Sequence, residues 1–385
     1  MKQRKVRVMT ALFRSVICGI DLTDEERDLY SPEMLQSLLR KASSHDIAHL
    51  LVWGLKKNGL IPGDKELEQH VLKAVYRYEQ LKYDYDKLCR HLEKVGIPFL
   101  PLKGSITREH YPEPWMRTSC DIDVLVRKED LDRAVATLEK DLGYVNHGKS
   151  PHDVSLFTPH KMHIELHYTL LEEGYANESS KILGDVWKTA TLREGWGSFY
   201  EMSDEMFYFY HIAHMAKHFE NGGCGIKPFI DLWILDNKLA HDRTKIDALL
   251  KKGRLFRFSE VVRHLCGIWF DFAEHNDVSR QLESYVLKGG VYGNNENRII
   301  VQQQKKGGRV KYALSKIFIP YDVIKFHYPI LEKYPILTPI MEVRRWCKLI
   351  FCGHLKRTTK ELKYNNHITD EEAENMRRFL ADIGL

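Results

Sequence analysis

The chain has no apolar run long enough to cross a bilayer, no Cys-x-x-Cys pair, and no dominant charge sign. A membrane-crossing helix needs roughly 20 consecutive apolar residues, so no transmembrane segment is expected. The basic start MKQRKVR leads into an apolar stretch broken by Arg14 and then into the acidic run DLTDEERD, so no signal peptide is expected either. The 7 cysteines, Cys18, Cys89, Cys120, Cys224, Cys266, Cys347 and Cys352, are odd in number and scattered. That usage favours reduced thiols in a cytoplasm over a secreted disulfide framework. Lys plus Arg number 58 against 53 Asp plus Glu, a formal charge of only +5, which argues weakly for nucleic acid. Internal repeats and low-complexity tracts are missing too.

What is there suits a globular protein with a large core: 385 residues, 43% hydrophobic and 29% charged. At roughly 150 residues per domain the length predicts two or three packed units. Residues 1–95 read as helical. Ser31-Pro32 is a helix start, a second helix runs from about Ile47 to Lys57, and Leu67, Val71, Ala74, Tyr78, Leu81, Tyr85, Leu88 and Leu92 form the seam of one long helix ending at Gly96. A strand signal follows, PFLPL, with Pro101 predicting a short or bulged strand.

The richest stretch is Leu102 to Val126, LKGSITREHYPEPWMRTSCDIDVLV. Residues two apart on a strand share a face, so Asp121 and Asp123 form a carboxylate pair while Ile122, Val124 and Val126 face the core. Paired anions in an apolar strand are costly without a counter-charge. A divalent cation is the usual compensation, and magnesium suits carboxylates plus substrate phosphates. Just upstream, Gly104 permits close backbone approach and Ser105 opens a helix whose N–H groups can receive phosphate oxygens. Lys103 and Arg117 add positive charge. A phosphate grip followed by a metal-binding pair suggests phosphoryl or nucleotidyl transfer.

These residues resemble the polymerase-β-like nucleotidyltransferases, whose signature is a Gly-Ser or Gly-Gly turn followed by Asp-x-Asp on a strand. Within that superfamily the chain looks most like a bacterial group of uncharacterised nucleotidyltransferases. The likeness runs through Lys103-Gly104-Ser105, Tyr111-Pro112, Arg117 and Asp121-Ile122-Asp123, then more loosely through Glu165-Leu166-His167, His214 to His218, and Asp231-Leu232. An Arg-x-Ser-x-Asp-x-Asp pattern of the same kind occurs in nucleotidyltransferase toxins. The resemblance implies an α+β fold: a small mixed sheet flanked by helices at residues 96–200, between helical regions at 1–95 and 201–385. It also implies two magnesium ions, with manganese as a substitute, a nucleoside triphosphate donor, and catalytic and metal-binding roles for Asp121, Asp123 and Glu165.

Alternation over Lys161 to Tyr168 puts His163, Glu165 and His167 on one strand face, and Val154 to Phe157 reads as its antiparallel partner. Glu165 meets Asp123 only if the two strands are neighbours; Asp153 is the reserve acid. By resemblance, Glu165 is the third carboxylate and the base for the acceptor. Lys103, Gly104, Ser105, Arg117, Lys217 and His218 are the nucleotide-binding candidates. Arg117 has a second reading, as a partner of the carboxylates, and Lys103 another, as a surface residue of the turn. His211, His214 and His218 share a helix face and read as metal ligands, as substrate-facing groups or as structural residues. Asp231 orients Lys217 or His218, or caps a helix. Lys288 to Gly308, rich in Gly, Asn and Gln, predicts a disordered or hinge segment. Beyond it the basic residues Arg344, Arg345, Lys348, Lys356 and Arg357 read as one helix, solvated or meeting RNA or an anionic membrane. The acceptor is left open among small molecules, proteins and RNA, with a toxin-like enzyme acting on tRNA or a non-catalytic nucleotide-binding protein as alternatives.

Overall fold

The computed structural model describes residues 2–385 apart from 62, 171–176, 240 and 352–354. Its centre is a five-stranded sheet: β1 (Phe99–Pro101), β2 (Asp121–Val126), β3 (Val145–Lys149), β4 (Asp153–Phe157) and β5 (His163–His167), in the order β1-β2-β5-β4-β3. Only β2 and β5 run parallel. Pro101 is tolerated because β1 is the outermost strand of this order, where a missing N–H costs least.

One sheet face is apolar and the other polar, as alternation requires. Ile122, Val124 and Val126 of β2, with Ile164 and Leu166 of β5 and Val154 and Leu156 of β4, are buried against the helices Lys65–Lys94 and Leu131–Leu142. Leu81, Leu88 and Leu92 supply the long helix's share, and Gly143 (φ 68°) ends the shorter helix in the left-handed conformation. A second and larger core joins the N-terminal helices to those of the C-terminal region through Leu12, Leu50, Phe209, Ile212, Phe229, Phe258 and their neighbours. The chain is therefore a mixed α/β core flanked by N- and C-terminal helical regions, a polymerase-β-like nucleotidyltransferase fold.

One expectation from composition fails in part. The Gly-, Asn- and Gln-rich segment is ordered: a helix, Asn295–Lys305, is capped by the Asn294 side chain and buries Ile299, Ile300 and Val301. Apolar positions on one helical face outweigh the polar average. The basic stretch is helical at Thr338–Phe351 and at Leu355–His367, on either side of residues 352–354. The side chains of Lys356 and Arg357, and residue Cys352, lie outside the described residues. Among the described residues no helix is long and apolar enough to cross a membrane.

Candidate active site

Register builds the site. On the parallel β2–β5 pair, Asp121 lies opposite His163, Asp123 opposite Glu165, and Leu125 opposite His167. A step of two keeps Asp121, Asp123, His163, Glu165 and His167 on one face, so Glu165 stands beside Asp123. Asp153 is on β4, opposite His167. The neighbouring position thus belongs to Glu165, and the reserve acid is one strand farther away.

Asp123 is buried at 4% exposure and is the hub. Its Oδ1 accepts from Lys103 Nζ at 2.7 Å and from His167 Nε2 at 2.8 Å. His167 Nε2 also lies 3.3 Å from Glu165 Oε2. Burial alone would raise the Asp123 pKa, but Lys103 and His167 outweigh it and hold the carboxyl far below its ordinary range. Asp121 goes the other way. Burial, then the charges of Asp123 and Glu165, raise it against the pull of Lys103. Burial lowers the His167 pKa, but its hydrogen bonds to Asp123 and Glu165 dominate and leave it raised.

Three carboxylates thus face one ammonium and the imidazoles of His163 and His167, and Asp121 stands raised by burial first and by its fellow acids after it. Ligand atoms of Asp121, His163 and Glu165, and likewise of Asp123, Glu165 and His167, lie within 4.8 Å of one another. This donor set fits a divalent cation. The oxygens suit magnesium or manganese, and the imidazoles add room for manganese.

Lys103 is no surface residue of the turn. Its side chain is 24% exposed and ion-paired, and its backbone sits at φ 46°, ψ −122°, a conformation costing a non-glycine residue about 1–3 kcal/mol. Such strain is typical of functional turns. Gly104 sits in a tight place: a Cβ there would come within 3.2 Å of Ser119 Oγ and 3.3 Å of Arg108 Nη2, side-chain atoms that would have to shift by a few tenths of an ångström.

The predicted backbone phosphate grip is smaller than expected. The helix opened by the turn is only Gly104–Thr107, and the N–H groups of Ser105, Ile106 and Thr107 already donate to Leu102 O (3.1 Å) and Lys103 O (3.1 and 3.0 Å). Short-range turn bonds have consumed the donors that a longer helix would leave open.

Arg117 does not pair with Asp121 or Asp123. Its Nε donates to both oxygens of Asp231, at 2.8 and 2.9 Å, and Tyr111 Oη donates to the same carboxylate at 2.6 Å. Asp231 therefore orients Arg117, not Lys217 or His218. Arg108 lies beside it, its Nε on Gly104 O at 2.6 Å, and burial with the like charge of Arg117 lowers its pKa to about 10. Lys227 donates to Asp46 Oδ2 at 2.6 Å and to Thr118 O at 3.1 Å. A buried layer of cations thus underlies the Gly104 turn.

The helix Asp204–Phe219 lies near the polar face. Burial first, then Lys103 and Lys217, lower the His218 pKa to about 4, and burial, then His218 and the same two lysines, hold His214 well below its ordinary value. Both are neutral at pH 7. Tyr210, one turn before His214, feels Lys103, Asp123 and Glu165. His211 Nε2 donates to Pro228 O at 2.9 Å, and His214 and His218 meet edge-on at 4.5 Å between ring centroids. None of the metal-capable groupings among the described residues includes these three histidines.

Sequence reasoning noted His163 and His167 on the Glu165 face without giving them a part. It met Ser119 only inside the Arg-x-Ser-x-Asp-x-Asp pattern and passed over Arg108, Lys227 and Tyr210. Of the last three, only Tyr210 carried a usable signal, its spacing of four before His214. The 79% exposed Tyr292, within electrostatic reach of Asp121 and Glu165, was hidden in the segment predicted to be disordered.

A family described as uncharacterised nucleotidyltransferase matches residues 31–271, a stretch containing every residue placed above except Tyr292. No curated protein and no solved structure matches the chain.

Proposed function

The chain belongs to that uncharacterised nucleotidyltransferase family, within the polymerase-β-like superfamily, and from this membership we propose that it moves a nucleoside monophosphate from a nucleoside triphosphate to an acceptor and releases pyrophosphate. The observation that carries the reading is the pairing of Asp123 with Glu165 on parallel strands, beside the Lys103-Gly104-Ser105 turn. Asp121, Asp123 and Glu165 would hold one or two magnesium or manganese ions, which when bound neutralise and orient the triphosphate. Glu165 takes the proton from the acceptor hydroxyl as its oxygen bonds to the α-phosphorus. The bond from that phosphorus to the β-bridging oxygen breaks, and its electron pair leaves with pyrophosphate.

Around this step the other side chains position charge. Lys103 and the Ser105 hydroxyl face the terminal phosphates, and Arg117 sustains the positive field beneath them through its fixed place on Asp231. Neutral His218, with Lys217, meets the nucleotide from the helix Asp204–Phe219. Tyr292 offers an exposed ring for a base. The acceptor, a small molecule, a protein or an RNA, docks on the C-terminal helical region, 201–385. Free thiols at the described cysteines fit a cytoplasmic location.

Incubation with α- or γ-labelled triphosphates, magnesium or manganese, and a cell extract tests the reading. Label from the α-phosphate is expected in a new species. Asp121→Asn and Asp123→Asn should each reduce transfer by at least about 10²–10³-fold while leaving the circular dichroism unchanged. Transfer of γ-label, or full activity in either variant, would overturn it.

A further inference from the structure

We propose a second metal site, of different chemistry, formed by His152, Asp153 and His167 and taking a nitrogen-preferring divalent transition ion such as zinc. Ligand atoms of these three residues lie within 4.8 Å of one another. His152 Nε2 is 2.9 Å from Asp153 Oδ2, and the rings of His152 and His167 are 5.8 Å apart between centroids. Bonds of about 2.0–2.2 Å at the tetrahedral angle put neighbouring ligand atoms about 3.3–3.6 Å apart, so His152 and Asp153, now hydrogen-bonded, need separate by only a few tenths of an ångström to reach coordination spacing.

The independent observation is His167 itself. Its Nε2 is committed to Asp123 on β2, and its Nδ1 is buried with no hydrogen-bond partner among the described residues. Because β2 and β4 flank β5 on opposite sides, Nδ1 is the atom left for Asp153 on β4. With its proton on Nε2, the neutral ring presents a bare lone pair at Nδ1. With both nitrogens protonated it buries an unsatisfied N–H, at a cost of about 1–3 kcal/mol. An ion at Nδ1 removes both difficulties. Metal-ligating histidines characteristically donate their other ring N–H to a carboxylate, and Asp123 is that carboxylate here.

His152 is prepared in the same way. Its Nδ1 lies 3.1 Å from Ser150 Oγ, and that oxygen also accepts from the backbone N–H groups of His152 (3.3 Å) and Asp153 (3.2 Å). The ring is thereby oriented with Nε2 toward Asp153. Two imidazoles and one carboxylate form a set suited to zinc, iron or manganese rather than magnesium. The His152 side chain is 21% exposed, so an ion can reach it from solvent. Bound there, the ion would hold His167 in the tautomer that donates to Asp123. The site stands whether or not the neighbouring carboxylates transfer nucleotides.

Titration of the metal-depleted full-length protein with zinc in excess magnesium, by calorimetry and by the visible spectrum of the cobalt-substituted form, tests the proposal. One ion per chain is expected, with imidazole-type cobalt bands. Affinity should fall at least tenfold in His152→Ala and in Asp153→Asn, and about tenfold in Ser150→Ala, which leaves all three ligands in place. Asp121→Asn and His163→Ala should bind as the parent does. No binding, binding indifferent to His152 and Asp153, or binding lost with Asp121 would overturn it, the last by assigning the ion to the carboxylate cluster. Matched circular dichroism and urea midpoints separate ligand loss from misfolding.

Discussion

At the scale of single residues, the charges under the Gly104 turn are held by few partners. Arg117 is 13% exposed at its side chain and Asp231 3%, and Asp231 also receives Tyr111. Removing one member of a buried pair leaves the other uncompensated, which costs about 3–5 kcal/mol. Asp231→Asn should therefore lower the urea-derived stability by that amount, and Tyr111→Phe by about 1.5–3 kcal/mol. A loss below about 1 kcal/mol in Asp231→Asn would mean that Arg117 finds another partner and that Asp231 does not hold the turn.

At the scale of elements, two glycine-rich turns interlock. Gly293 sits at φ 71°, and a Cβ there would meet Gly222 O at 2.3 Å and Gly223 O at 2.5 Å. Asn294 N donates to Gly222 O at 3.0 Å, and Val291 N to Ser44 O at the same distance. The contact joins the end of the helix Asp204–Phe219, which carries His214 and His218, to the start of the helix Asn295–Lys305. Both atoms in the way are backbone, so no rotamer change relieves them. Gly293→Ala should destabilise by about 1–3 kcal/mol or more in chemical denaturation. A neutral outcome would show that the two turns can separate.

For the molecule as a whole, buried neutral histidines set the response to acid. Burial lowers the pKa values of His45, His49 and His218 to about 4, whereas an unfolded histidine titrates near 6.5. Between about pH 6.5 and 4 the unfolded chain binds protons that the folded chain refuses. Stability is therefore complete above that window and falls as the pH falls through it. His167, with a raised pKa, has the opposite sign: its contribution is complete below about 6.5 and is lost as the pH rises through the folded value above it, so it changes little inside the window. Asp153 and Asp231, with lowered pKa values, keep their contribution until lower pH still. Burial lowers His91, His211 and His214 as well, so the neutral histidines dominate, the urea midpoint should drop from pH 7 to pH 5, and His45→Leu should flatten that drop. An unchanged midpoint across the window would contradict this balance.

Local chemistry in the sequence determined the elements and the candidate acids. The period-two alternation around Asp121 and Glu165, the seam of the long helix, and the stop at Gly96 are all short-range patterns, readable because each depends on residues a few positions apart. The tertiary structure alone decided which side chain answers which. Arg117 met Asp231 more than a hundred positions away, and the parallel register set Glu165 beside Asp123 and turned Asp153 toward His167. It also placed a capped helix in a polar segment that composition read as disordered or a hinge. The physical reason is range: propensity and alternation act along the chain, whereas the partner of a buried charge is chosen by packing across it.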